Sequence, residues 1–248
     1  MGPRAMLAAV AMLVAATAVA GERTYAAMSL VGDGLLVVRH RGTTGTSLEG
    51  NLREFLSVPD PTLDRAALLA VDEAVRRADP SARVVLLGGR DPAAIEAQSR
   101  TLGSDGAAQA IVDALLPRLP KTGATHLILV TKKRQEARFD LADGHFGSGQ
   151  VEGLGFYVDS TLLTHQQGEG GYAVGLLAPF AYLDVVEVDM ATGKVVAERP
   201  VKVSRTYSER KSATLDPWDA LSSNEKMRVL GELVRSGTAR AVESLLAP

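Results

Sequence analysis

Thr125-His126-Leu127-Ile128-Leu129-Val130 is a short, nearly unbroken apolar run, the pattern of a strand buried on both faces of a sheet. Val84-Val85-Leu86-Leu87, closed by Gly88-Gly89, has the same character. Helical patterns lie before and between these runs. Ala67, Leu68, Val71, Val75 and Ala78 fall on one helical face, with Asp64, Arg65, Asp72, Glu73 and Arg76 on the other. Asp60 reads as the N-cap of that helix, Pro61 as its first residue and Asp79-Pro80 as its end. Residues 92–100 and 105–116 are two further helical patterns, with Gly103 between them. Buried strands alternating with helices predict an α/β fold, with α+β as the alternative: one three-layer domain with a mixed β-sheet flanked by helices.

Working outward, residues 25–31 and 35–39 read as two strands joined by a Gly32-Asp33-Gly34 turn, which predicts a β-hairpin. Residues 41–50 are polar, rich in Gly and Thr, and read as a loop. In residues 181–203, Tyr182, Asp184, Val186 and Val188 begin a strand that turns at Asp189-Met190-Ala191-Thr192-Gly193 and returns. Gly193 is expected to take positive φ there. Asp216-Pro217-Trp218 reads as a helix start. Ser222 and Glu225 have capping-box spacing ahead of an apolar face of Met227, Leu230, Leu233, Val234, Ala241 and Leu245. Residues 132–171 are glycine-rich with little periodicity, and read as a long excursion with one strand near 155–158.

The composition narrows the function. The 248 residues carry a formal net charge of −2, with none of the basic excess that nucleic-acid binding shows. The chain has no cysteine, which removes thiolate metal sites, cysteine nucleophiles, disulfides and a cysteine-linked lipid anchor. Aromatic residues make up only 4%, so the core is expected to be built from Leu, Val and Ala. Arg4, an alanine-rich apolar stretch and Ala18-Val19-Ala20 ahead of Gly21 have the layout of a secretory signal peptide over residues 1–20. Residues 21–248 are then expected as a single exported domain, periplasmic or secreted, with no membrane span after cleavage at Ala20.

Three places could carry chemistry. Lys132, Lys133 and Arg134, followed by Arg138, form the one basic cluster in the sequence and directly follow an apolar strand, where α/β sheets often bind ligands. They are the candidate contacts for a small anionic ligand or an acidic envelope protein. Asp140, Asp143 and His145, with His165 and Glu169 downstream, could hold a divalent metal, although the spacing matches no established ligand template. Gly147-Ser148-Gly149 is half a nucleophile elbow, with Phe146 where a strict elbow has glycine. His40 and His126 read as strand-end residues with local hydrogen bonds. The stretch Gly32-Asp33-Gly34 resembles the Gly-Asp-Ser of GDS-type lipases, but Gly34 replaces the nucleophile. No phosphate-cradling loop is present, and the sequence implies no cofactor.

Three segments together resemble an exported proteobacterial family of unknown function: Ser29-Leu30-Val31-Gly32-Asp33, Thr44-Gly45-Thr46-Ser47-Leu48-Glu49-Gly50-Asn51 and Asp64-Arg65-Ala66-Ala67-Leu68. The late Asp189-Met190-Ala191-Thr192-Gly193-Lys194-Val195 hairpin and the element order are also similar, at a distance, to the α/β domains of the TolB N-terminal region and of CsgG. That resemblance implies envelope assembly and protein contacts rather than catalysis. The sequence reading is thus an exported, non-enzymatic binding or scaffold protein. The rival is a metal-assisted or serine hydrolase built on residues 132–171.

Overall fold

A computed structural model describes residues 23–41, 50–141, 144–165, 172–208 and 216–247. In chain order the elements are β1 (Thr24–Ser29), β2 (Gly34–Arg39), β3 (Leu52–Ser57), α1 (Thr62–Ala78), β4 (Arg83–Leu87), α2 (Pro92–Thr101), α3 (Ala107–Leu115), β5 (His126–Lys132), β6 (Arg134–Glu136), β7 (Phe139–Leu141), β8 (Gly144–Phe146), β9 (Gln150–His165), β10 (Tyr172–Asp189), β11 (Lys194–Ser204) and α4 (Ser223–Leu246). The main sheet runs β3-β2-β9-β10-β5-β1-β4, with β11 also on β10 and β6 on β9. Parallel and antiparallel pairs are mixed, as expected for the predicted fold class.

Strand β10 organises the sheet. Its first part, to Tyr182, pairs with β9, and the part from Leu183 onward pairs with β5. From Phe180 onward its other edge pairs with β11. Strands β9 and β5 therefore occupy one edge of β10 in succession, and the sheet is two halves sharing one strand. Side chains alternate across it. Leu177, Ala181, Leu183 and Val185 join Val71, Val75, Leu230 and Val234 beneath α1 and α4. Val186 and Val188 join Ile111 and Val112 beneath α2 and α3 on the opposite face. Further along that second face, Phe139, Phe146, Tyr157, Phe180 and Tyr182 form an aromatic cluster under the small β7–β8 sheet. A composition poor in aromatics thus gathers five of its rings in one place.

The predicted β1–β2 hairpin does not form. Strand β1 pairs in parallel with β4 and β5, whereas β2 pairs with β3 and β9. Following the pair directions through β5, β10 and β9, β1 and β2 point the same way, one in each half of the sheet. The cause is Asp64. This residue, expected on the polar face of α1, is buried, and its Oδ1 accepts from the Ser29 hydroxyl (2.8 Å) and from the N–H groups of Val31 and Gly32 (3.0 Å each). The carboxylate takes up the Val31 and Gly32 N–H groups, and the turn at Gly32-Asp33 leads the chain into the other half of the sheet rather than back along β1. Gly32 is required by the close approach, since a Cβ there would lie 2.4 Å from Asp64 Oδ2.

Other boundaries moved less. Asp60 does accept from the Thr62 N–H (2.7 Å), but α1 begins at Thr62. Residues 132–171 are not one irregular excursion: β6, β7, β8 and the whole of β9 lie within them, and the short strand expected near 155–158 is the middle of β9. The Asp216-Pro217-Trp218 start is a 3-10 turn, after which α4 opens with the predicted Ser222–Glu225 capping box. Gly193 has φ +67°, as expected of the β10–β11 turn. Strand β3, in a stretch with no predicted element, is an exposed edge strand. The proposed leader and most of the 41–50 loop lie outside the described residues. Among those described, no helix is long and apolar enough to cross a membrane.

Candidate functional site

The basic run sits where β5 parts from β10. The Lys133 N–H donates to Tyr182 O (2.9 Å), and the Gly153 N–H donates to Lys133 O (3.2 Å), so β9 takes over the edge that β5 leaves. A cavity of about 320 Å³ opens here beside the α2–α3 turn, lined in part by Gln98, Asp105, Lys133, Asp184 and Glu198. Each cation of the run already has an internal carboxylate. Lys132 pairs with Asp33 and lies over the Phe55 ring. Lys133 Nζ donates to both oxygens of Asp184 (2.7 and 2.8 Å) and reaches Glu198 (3.3 Å). Arg134 is bonded to Glu152 (2.6 Å), which also faces Arg53 at 3.4 Å. Burial pushes the Asp184 carboxyl up to about 6, against the opposing pull of Lys133; Glu198 adds to the rise. A run that is conspicuous in sequence is thus compensated in space.

Asp140 and His145 face each other as cross-strand partners on β7 and β8, both exposed. Asp143 and Glu169 lie outside the described residues, and His165 is at the far end of β9. Among the described residues no group of three His, Asp or Glu side chains is placed to hold a metal ion.

Ser148 has the more instructive surroundings. Its Oγ lies 3.2 Å from His40 Nδ1 and 3.2 Å from Tyr157 OH, and Asn51 Oδ1 lies 3.1 Å from the same His40 nitrogen. The set looks like a serine, its base and the base's orienter, but the wiring is wrong for that use. Asn51 Nδ2 donates to Ser148 O (2.7 Å), which turns Asn51 Oδ1 toward His40 and calls for the proton on Nδ1. With its Nδ1 proton given to Asn51 Oδ1, that nitrogen has no lone pair to take the Ser148 proton, so His40 does not serve as the base of Ser148 in this arrangement. The four residues pin the end of β2, the start of β3 and the β8–β9 turn together over Tyr157. Burial raises the Tyr157 phenol, which keeps it a hydrogen-bond donor. Sequence reading missed this cluster because Ser148 and His40 are 108 positions apart.

A second cationic region is assembled by the fold alone. Beyond β11, between α4 and the segment around β7, lies an open groove of about 630 Å³ lined by Arg138, Lys202, Arg205 and Arg240, and by one carboxylate, Asp140. A further recess of about 290 Å³ continues it past Lys202 and Arg240 to Arg199. Arg205 is paired with Glu232 (2.5 Å), but Arg138, Arg199, Lys202 and Arg240 meet no carboxylate among the described residues. The walls are firmly set. Gly237 lets α4 rest on β11, where a Cβ would meet Val201 Cγ1 at 2.5 Å. Tyr182 OH, buried and pushed up to about 12 chiefly by that burial, donates to Arg138 O (3.0 Å), and its ring lies 5.3 Å from Lys202 Nζ. Arg138 follows the basic run in the sequence, but the other cations are spread over residues 199–240, where no local charge density announces them.

No protein-family model matches the chain, and no curated protein does. Among solved structures it is similar to a Helicobacter pylori protein described as a neuraminyllactose-binding hemagglutinin homolog, with TM-score 0.43, 5% identity and coverage of 91% of this chain and 86% of that one. It is also similar to the PelC dodecamer of Paraburkholderia phytofirmans, with TM-score 0.33, 11% identity and coverage of 91% and 89%. A third is a Xanthomonas campestris protein of the DUF330 family, with TM-score 0.34, 10% identity and coverage of 90% and 81%. None of these comparisons shows the likeness to TolB or CsgG domains, and the fold assignment rests on the strand pairing itself.

Proposed function

We propose that this is an exported binding or scaffold protein that holds an anionic partner in the groove between β11 and α4. The observation that carries the reading is the convergence of Arg138, Arg199, Lys202 and Arg240, without carboxylate partners among the described residues, on a chain whose net charge is −2. Positive side chains left uncompensated in a concave site raise the local concentration of anions and steer their approach. The leader pattern in residues 1–20 supports action outside the cytoplasm, with an envelope component as the partner.

The test has two arms. Cell fractionation followed by mass spectrometry of the soluble exported form is expected to give an N-terminus at Gly21; an intact Met1 in that fraction overturns the export reading. Titration with a fluorescent acidic peptide is expected to show affinity that falls as salt is raised. The loss should be about tenfold in Arg138→Gln/Lys202→Gln/Arg240→Gln and small in Lys132→Gln, whose charge is already compensated. Equal losses in both variants would overturn the groove as the site.

A further inference from the structure

The groove is more than a cationic surface, because its floor is a sheet edge that no strand among the described residues pairs with. Among the described residues, β11 pairs with β10 and with no other strand. The outward-facing backbone groups follow from the hydrogen bonds to β10. Beyond β11, the N–H groups of Arg205 and Tyr207 donate inward to Pro179 and Leu177, and Leu177 N–H donates back to Tyr207 O. In an antiparallel ladder the inward bonds recur at every second residue. Odd-numbered positions from Val201 onward therefore bond to β10, and Lys202 and Ser204 turn their N–H and C=O groups outward. Pro200 falls in the outward set, where its lack of an N–H breaks no bond to β10. The available edge thus runs from the Pro200 carbonyl through Ser204.

Resting on the binding reading above, we propose that the occupant is an extended acidic segment of a partner protein, which adds to β11 as its next strand. Side chains of an added strand alternate between the two walls. On one side they meet Arg205 and Arg240 with α4, and on the other Lys202 and Arg138 beside β7. Carboxylates are complementary on both sides, while backbone bonds to Lys202 and Ser204 fix the register. Among the described residues the edges at β3 and β4 also have no second partner strand, and β3 carries exposed Leu52 and Phe55, but the walled cationic groove lies along β11.

The test uses the full protein and three synthetic peptides of identical alternating Glu and Val sequence, one unmodified and two N-methylated at every second residue, each in one of the two registers. All three carry the same charge, but one edge of each methylated strand cannot pair. The unmodified peptide is expected to bind, and the version methylated on its pairing edge to bind about tenfold more weakly or worse. Equal affinity for the unmodified peptide and for peptides methylated in either register sinks strand addition while leaving the anionic-binding reading intact. Failure of every peptide to bind sinks both. Ser204→Pro removes one outward donor and is expected to weaken the unmodified peptide alone; if that variant does not fold, the methylated pair still decides. A polyphosphate that binds as tightly as the unmodified peptide, with no loss on peptide methylation, would identify the groove as a charge-only polyanion site and overturn the proposal.

Discussion

The two cationic regions differ in a way that their sequences invert. Lys132, Lys133 and Arg134 are adjacent in the chain, and each is matched by a carboxylate from elsewhere: Asp33, Asp184 with Glu198, and Glu152. Arg138, Lys202 and Arg240 are far apart in the chain, share a groove and lack such partners among the described residues. Clustering along a chain makes repulsion that folding must neutralise, whereas dispersed charges can be gathered where a ligand will complete them. The first region is expected to matter for stability and the second for binding.

The sharpest way to break that contrast is Lys133→Met. It leaves Asp184 and Glu198 facing each other without their cation at a site where Asp184 is largely buried. The cost is expected to be about 2 kcal/mol near neutral pH, less than for a fully buried pair because Lys133 is partly exposed. Chemical denaturation measures it, and an unchanged midpoint would mean that the run is ordinary surface charge. Next comes pH. The folded Asp184 titrates at about 6, above an ordinary carboxylate, so the folded state holds the proton more tightly. The stability contributed by that proton is fully present below the ordinary carboxylate range and is lost as pH rises through about 6. Denaturation midpoints should therefore fall across that window, and Asp184→Asn should remove most of the slope. A slope that survives the substitution would assign it to other groups. The smallest expected effect is in the groove: Arg138→Gln/Arg240→Gln should change stability by less than about 0.5 kcal/mol, since both are exposed and outside the core. A clear loss of stability would dissolve the contrast.

What could be read from the sequence follows the range of the interactions. The apolar runs of β4 and β5, the α1 stripe, the Ser222–Glu225 cap and the Gly193 turn are local signals, and the fold keeps them. The hairpin failed because its decisive contact, Asp64 on Gly32, spans 32 positions and looks like surface charge on a helix. Strands β6 to β9 were hard to see because glycines at positive φ, such as Gly147 and Gly153, interrupt their periodicity at tight approaches. A Cβ on Gly153 would lie 2.8 Å from the Lys132 side chain. The basic run was visible, but its neutralising carboxylates were not. Of the groove, only Arg138 gave a signal, as the tail of that run.

Strand β10, 18 residues long, belongs to both halves of the sheet, and that has a consequence for how the molecule comes apart. Opening either half strips partners from the strand on which the other half is built. Partial unfolding therefore has no natural dividing line through the sheet, and amide protons along the middle of β10 should exchange only through loss of the whole structure. Any force delivered to β11 by a bound partner would enter this strand first, and be shared by both layers of helices before a single strand could peel away.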